Sequence, residues 1–189
     1  MKPLAYIDTE TTGLHPEQGH EIIEVAMIKG NDVLHIKITP SNIELADPVA
    51  LQINGFDAQE WADSVSRKLA AQLTASFLHG CMVVGHNVKF DMMFLADLWD
   101  SYDIGCAVDR RYIDTVVLSH EHLQHLGLYS LRMDSIRKFF GWPTAEAHSA
   151  LADAEDVRRL YKTLCRATVL HRCWWWLRYR ALHWLGLIK

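Results

Sequence analysis

Four acidic side chains stand in sequence surroundings that would not solvate them. Asp8 and Glu10 close an apolar run in PLAYIDTETTGL, Asp91 follows MVVGHNVKF, and Asp153 lies five residues after His148 in HSALAD. Carboxylates gathered at one point repel each other unless cations lie between them. Hard oxygen donors of this kind suit magnesium or manganese. Two such cations about 3.5–4 Å apart clamp an in-line displacement at phosphorus, one activating a water and the other stabilising the leaving oxygen. The chemistry open to these residues is therefore hydrolysis of a phosphodiester at a two-metal site. The attacking water needs a base, and His148, an imidazole titrating near neutrality, is the candidate. Five residues along a helix turn through about 500°, so His148 and Asp153 would not share a helix face. His148 is placed instead in the loop PTAEAH, ahead of the helix that carries Asp153.

The elements that must position these groups follow from periodicity. Leu4 to Thr9 reads as a strand, Glu21 to Lys29 as a second, and Val33 to Thr39 alternates as a third across a Gly30-Asn31-Asp32 turn. Successive strand side chains point to opposite faces, so Asp8 and Glu10 share one. Ser64 to His79 has Val65, Leu69, Leu73 and Phe77 at a spacing of four, which predicts one apolar helix face. Cys81 to Val84 is a short buried strand. Helices are expected over Lys89 to Trp99, with Phe94, Leu95 and Leu98 inward, and over Val116 to Leu126, Tyr129 to Phe140 and Ser149 to about Leu170. Asp47-Pro48 to Asn54-Gly55 is irregular or short-helical, and Asp114 caps the helix that follows it. Strands followed by helices, with acids at strand ends, indicate an α/β architecture with a mixed central sheet flanked by helices, whose function gathers at strand ends.

The 189 residues are half hydrophobic and moderately charged, which excludes disorder and is enough chain for one buried core. MKPLAYID lacks a signal-peptide pattern. Cys81, Cys106, Cys165 and Cys173 form no C-x-x-C pair and are expected to be buried, reduced thiols in a cytoplasmic protein. His120, His122 and His125, in HEHLQH, do not match the H-E-x-x-H zinc pattern and are expected on a solvated helix face.

The blocks DTETTGL, GHNVKFDMMFL and HSALADA, in this order, resemble the three exonuclease motifs of the DEDDh, or DnaQ-like, family, which includes the proofreading epsilon subunit of bacterial replicative DNA polymerases. HEIIEVAMI, LQINGF and YSLRMDSIRKFFGW are similar to its linking segments, and the resemblance spans roughly residues 4 to 165. It implies a ribonuclease H-like fold and 3′→5′ removal of nucleoside 5′-monophosphates with two divalent cations, Mg2+ or Mn2+. It further implies that Asp8, Glu10, Asp91 and Asp153 are metal ligands and His148 the general base. A tyrosine branch of the family has its tyrosine where Ser149 stands here, which favours the histidine branch. By the same resemblance Thr11, Thr12 and Leu14 lie beside the terminal nucleotide, Asn87 contacts substrate near the scissile phosphate, and Phe90 packs on the terminal sugar or base. DNA is the expected substrate, as a single-stranded or frayed 3′ end. RNA is the alternative, since the metals act on phosphate and sugar position. A non-catalytic nucleic-acid-binding or polymerase-accessory protein that kept the fold is a further alternative. The sequence includes no polymerase domain, so proofreading would require a separate polymerase.

Residues 1–170 are assigned to the exonuclease domain and residues 171–189 to a basic, tryptophan-rich tail. Residues 1–157 carry 11 Lys and Arg against 23 Asp and Glu, whereas residues 158–189 carry 8 bases and no acid. Such asymmetry suits an end that faces something anionic, or one that pairs with the acidic body. Drawn as a helix, Trp174, Leu177, Ala181, Trp184, Leu185 and Ile188 form one sector, the face expected to dock on the core. Trp175, Trp176 and Leu182 are left over, as for a partner protein such as a polymerase, a membrane surface or stacked bases. Deleting residues 172–189 is expected to leave the metal site intact.

Overall fold

The computed structural model describes residues 2–109, 111–143 and 149–185. Its sheet has five strands in the order β3-β2-β1-β4-β5: β1 Leu4–Thr11, β2 Ile22–Lys29, β3 Asp32–Lys37, β4 Met82–Gly85 and β5 Tyr112–Asp114. β1 is antiparallel to β2 and parallel to β4, β2 is antiparallel to β3, and β4 is parallel to β5. The sheet is therefore mixed, as the alternation of strands and helices predicted. The helices are α1 Pro48–Ile53, α2 Arg67–Leu78, α3 Val88–Asp100, α4 Thr115–Leu123, α5 Met133–Phe140, α6 Ala150–Cys165 and α7 Val169–Trp184.

The pleat of β1 divides the interior. Ala5 and Ile7 face a cluster built with Val25, Met27, Val83 and the apolar sides of α2 and α3, including Phe94, Leu95 and Leu98. Tyr6 faces the opposite side, where Ala26, Ile28 and Val84 meet Ala150, Ala154 and Val157 of α6. Asp8 and Glu10 continue the Tyr6 face, so period two directs both at the start of α6.

The buried face of α2 differs from expectation. Leu69 is exposed, and Ala70, Ala71, Thr74, Ala75 and Leu78 are the residues that pack inward. Small alanine side chains bring the helix axis close to the sheet, whereas a leucine face would hold it off. Arg67 enters the interior with them and pairs with buried Glu21 at 3.3 Å. The helix expected from Tyr129 starts at Met133, and the one expected to run to Leu126 tightens after Leu123 into a 3-10 turn over Gln124–Leu126. Cys81 is buried and Cys106 half-buried, but Cys165 and Cys173 are exposed, against expectation, and all four are free thiols. Asp114 caps α4 as anticipated, accepting from Val116 N–H at 2.8 Å.

The long helix expected from Ser149 to about Leu170 breaks after Cys165. Thr168 accepts from His171 N–H and bonds the His171 ring, an alternative to continuing the helical ladder. α7 then docks by a face other than the expected sector. Trp175 is buried among Leu123, Leu126, Leu128, Ile136, Phe139, Leu160 and Leu164. Its indole meets Phe140 edge-on at 5.2 Å, and Arg178 donates to the Phe139 carbonyl. Tyr179 lies over Gly127, whose φ of 106° favours glycine and where an added Cβ would come within 3.1 Å of the Tyr179 ring. Trp174, Leu177, Trp184 and Leu185 are exposed. Deleting residues 172–189 would thus remove Trp175 from a core cluster, so a loss of stability is expected alongside the intact metal site expected from sequence. Trp175→Ala is expected to cost about 3 kcal/mol in chemical denaturation. Trp184→Ala, at a site 85% exposed, should change stability by no more than about 0.5 kcal/mol. Equal losses from the two would contradict this docking.

Candidate active site

β1 delivers the first two acids. Asp8 pairs with Ala26 and Glu10 with Glu24 across β1 and β2, and the register slips between Glu10 and Thr11, after which Thr11 pairs with Ile22. A bulge at that point bends the strand locally beside the acids. α6 delivers Asp153 in its first turn. Among the described residues, carboxylate oxygens of Asp8, Glu10 and Asp153 lie within 4.8 Å of one another. Two strand residues and one more than 140 positions later in the chain thus converge because β1 and α6 pack face to face.

Asp91 comes from the other side of the sheet. It sits in the first turn of α3, buried, and accepts a hydrogen bond from Thr9 Oγ1 at 2.8 Å. Thr9 points opposite to Asp8 and Glu10, so Asp91 stands behind the strand end rather than among the three gathered oxygens. Its charge is nevertheless the strongest of those acting on Asp8, ahead of Asp153, Glu10 and Glu24.

These carboxyls are held far from their ordinary acidity. Burial first, then the neighbouring carboxylates, pushes Asp8 well above the usual range. The same causes, with Asp153 the leading charge, raise Glu10 to about 8. Burial raises Asp91 to about 7 against the opposing bond from Thr9. The pocket therefore combines three convergent oxygen donors with carboxyls whose ionisation burial and mutual repulsion oppose. That donor set fits a hard divalent cation.

Three residues that the sequence did not single out shape this pocket. Glu24, buried in β2, accepts from Ala150 N–H at 3.3 Å and bonds His35 Nε2 at 2.7 Å. It caps α6 from the sheet, in place of Ser149, whose side chain makes no cap bond. Its signal in sequence is an acid inside the apolar run EIIEVAMIK. Arg137 of α5 is buried and pairs with Asp153, with Asp156 at 2.6 Å and with Asp134 at 3.0 Å. Burial alone would lower its basicity, but the bonds to Asp156 and Asp153 more than offset this and raise it. Nothing in SIRKFF distinguishes Arg137 from neighbouring Lys138. Thr9 is the third, and its signal is only its place between the two acids.

The residues implied to touch substrate divide by how their groups are engaged. Thr11 Oγ1 donates to the Gly13 carbonyl at 2.7 Å. Thr12 is fully buried, accepts from Glu21 N–H at 2.8 Å through its hydroxyl, and donates its own N–H to the Glu21 carbonyl. Leu14 is 63% exposed. Asn87 stands at the N-terminus of α3 with φ 67°, a left-handed geometry asparagine tolerates, and its side chain makes no cap bond. Its backbone N–H donates to Asp114 Oδ1 at 3.0 Å. Phe90 is half-buried against Phe94, with ring centres 4.9 Å apart. Leu14 and Asn87 are therefore exposed, and Phe90 is half-buried, packed against the first core cluster. His148 lies outside the described residues; in sequence it immediately precedes Ser149, the cap position of α6.

A family model described as Exonuclease (RNase_T) matches residues 6–161. The chain is 32% identical over 160 residues to DNA polymerase III PolC-type of Thermotoga maritima, covering 82% of this chain and 11% of that protein. It is 31% identical over 169 residues to DNA polymerase III subunit epsilon of Rickettsia prowazekii, covering 84% of this chain and 72% of that protein. The chain thus spans only a small part of the PolC-type polymerases. Among solved structures, Escherichia coli exonuclease I in complex with a dA16 oligonucleotide superposes with a TM-score of 0.75 at 20% identity, over 92% of this chain and 43% of that one. The shared architecture is the ribonuclease H-like fold.

Proposed function

We propose, since this chain belongs to the RNase_T exonuclease family, that it is a DEDDh-type 3′→5′ exonuclease that releases nucleoside 5′-monophosphates from DNA. The observation that carries this reading is the convergence of Asp8, Glu10 and Asp153 within 4.8 Å, with Asp91 directly behind. Relatives named as DNA polymerase III subunits support DNA over RNA.

Asp8, Glu10, Asp91 and Asp153 would hold two divalent cations, Mg2+ or Mn2+. Bound there, the cations supply a lowered water pKa and charge stabilisation at phosphorus. The remaining work falls to the chain itself. Thr9 fixes the Asp91 carboxylate, and Glu24 fixes the N-terminus of α6 and with it Asp153. Arg137 clamps Asp153 and Asp156 to α5, so the carboxylate orientation does not depend on flexible loop atoms. Leu14 wedges against the terminal base, Phe90 meets the terminal sugar or base, and the free amide of Asn87 meets a phosphate oxygen. Thr11 and Thr12 act through the rigidity of the turn, since their hydroxyls are engaged internally. His148 takes the proton from the attacking water.

The test is product analysis on 3′- and 5′-labelled DNA and matched RNA strands with Mg2+ or Mn2+, with and without chelator. Stepwise shortening from the 3′ end of DNA, abolished by chelator, is expected. Release without metal, or none under either cation, would overturn the reading, and faster cleavage of RNA would replace the substrate. His148→Ala should lower turnover about 10²–10⁴-fold while cation affinity, measured by titration calorimetry, stays nearly constant. A His148→Ala protein with normal turnover would remove His148 from the base role.

A further inference from the structure

α7 carries apolar side chains on both of its faces. The inner face is accounted for by Trp175 and Tyr179 in the second core cluster. The outer face presents Leu170, Trp174, Trp176, Leu177, Trp184 and Leu185, each between 42 and 85% exposed. At about 100° per residue, these six cover close to half the helix circumference. That is broader than the seam a single partner helix occupies. Arg178 lies over Trp174 with its guanidinium 5.9 Å from the ring, and Arg180 lies over Trp176 at 5.4 Å. No acid follows Asp156 in the sequence, and residues 158–189 carry 8 bases. α7 is 16 residues long, or about 24 Å, shorter than a hydrocarbon core. Among the described residues no helix is long and apolar enough to cross a membrane.

We propose that the outer face of α7 binds in the plane of an anionic lipid bilayer, its tryptophans and leucines entering the headgroup boundary and exposed Arg180 meeting lipid phosphates. Tryptophan and leucine on one face, with arginine and no acid, is the composition that lies in such an interface. The charge asymmetry orients the encounter: the cationic helix faces the surface and the acidic body, at −12 over residues 1–157, is held away. A second copy of this chain fits less well. Leu170, Trp174, Leu177, Ala181 and Trp184 follow the 4-3-4-3 spacing of a coiled-coil seam, but pairing it with itself would set Arg178 and Arg180 against like charges. Stacked bases would use the indoles and leave the leucines without a role.

The test is flotation of the full chain with vesicles of phosphatidylcholine alone or with about one-third phosphatidylglycerol, together with quenching of tryptophan emission by brominated lipid. Binding to the anionic vesicles at least tenfold tighter than to the neutral ones is expected, weakened by salt. The variant Trp174→Ser, Leu177→Ser, Trp184→Ser should lose about tenfold or more of that binding, with its melting temperature and oligonucleotide cleavage unchanged. None of these three side chains belongs to the acidic site, so failure here leaves the nuclease reading intact. Equal binding to neutral vesicles, no binding to either, or full binding by the triple variant would overturn the proposal. So would a dimer, or an oligonucleotide affinity, lost in the triple variant when vesicles are not bound.

Discussion

Replacing Asp8 with asparagine is expected to lower turnover by about 10³-fold or more, and to raise the melting temperature of the metal-free protein at pH 9. Both effects come from one cause. Asp8 stands at the centre of the acid group, and burial with the charges of Asp91, Asp153, Glu10 and Glu24 opposes its ionisation. Asparagine keeps the shape and one oxygen but removes the charge that a divalent cation requires. Charge stabilisation by a cation at phosphorus is worth several kcal/mol, and each 1.36 kcal/mol is tenfold in rate. The folded chain meanwhile loses a repulsion. Glu10, raised to about 8, and Asp91, raised to about 7, ionise across this range, so the repulsion on position 8 and the gain in melting temperature should grow from pH 6 to pH 9. Circular dichroism melts in chelator at both values check this. A variant less stable at both would show that the pocket is not under repulsion.

The affinity for Mg2+ or Mn2+ is expected to fall about 100-fold or more between pH 8.5 and pH 6. Glu10 is raised to about 8 and Asp91 to about 7, so a cation arriving at pH 6 must displace protons from both. Each displaced proton changes the apparent constant by up to about tenfold per pH unit. The stability of the metal-free chain should follow the same groups with a definite sign. Their folded pKa values lie above the unfolded ones, so the folded state holds extra protons. Its stability is then full below the ordinary carboxyl range and is lost as pH rises toward about 8. A cation removes that loss, and the increase in melting temperature on adding Mn2+ should be larger at pH 8.5 than at pH 6. Calorimetric titration in buffers of different ionisation enthalpy would count the protons released. A pH-independent constant with no proton release would contradict the assignment of these acids.

Much of the site's scaffold was legible because it depends on local periodicity. Period two in LAYIDTET put Asp8 and Glu10 on one face, and they are. The helical spacing of Phe94, Leu95 and Leu98 turned those residues inward, and Asp91 followed in the first turn of the same helix. Where two patterns competed, periodicity alone gave the wrong answer. α2 offers a leucine stripe and an alanine stripe, and the alanines are buried because close approach to the sheet outweighs side-chain size. α7 offers apolar residues on every side, and Trp175 is the one buried, among side chains of α4, α5 and α6.

By itself the sequence determined which acids exist, which strand and helix ends carry them, and that the last stretch is cationic and rich in tryptophan. Only the tertiary structure decided that Asp91 stands behind the strand end while three carboxylates converge. It also decided that Glu24 caps α6, that Arg137 clamps Asp153, and which face of α7 meets solvent. The reason is physical: periodicity is written in neighbouring residues, whereas pair distances between remote carboxylates and the choice among apolar faces depend on how closely whole elements pack.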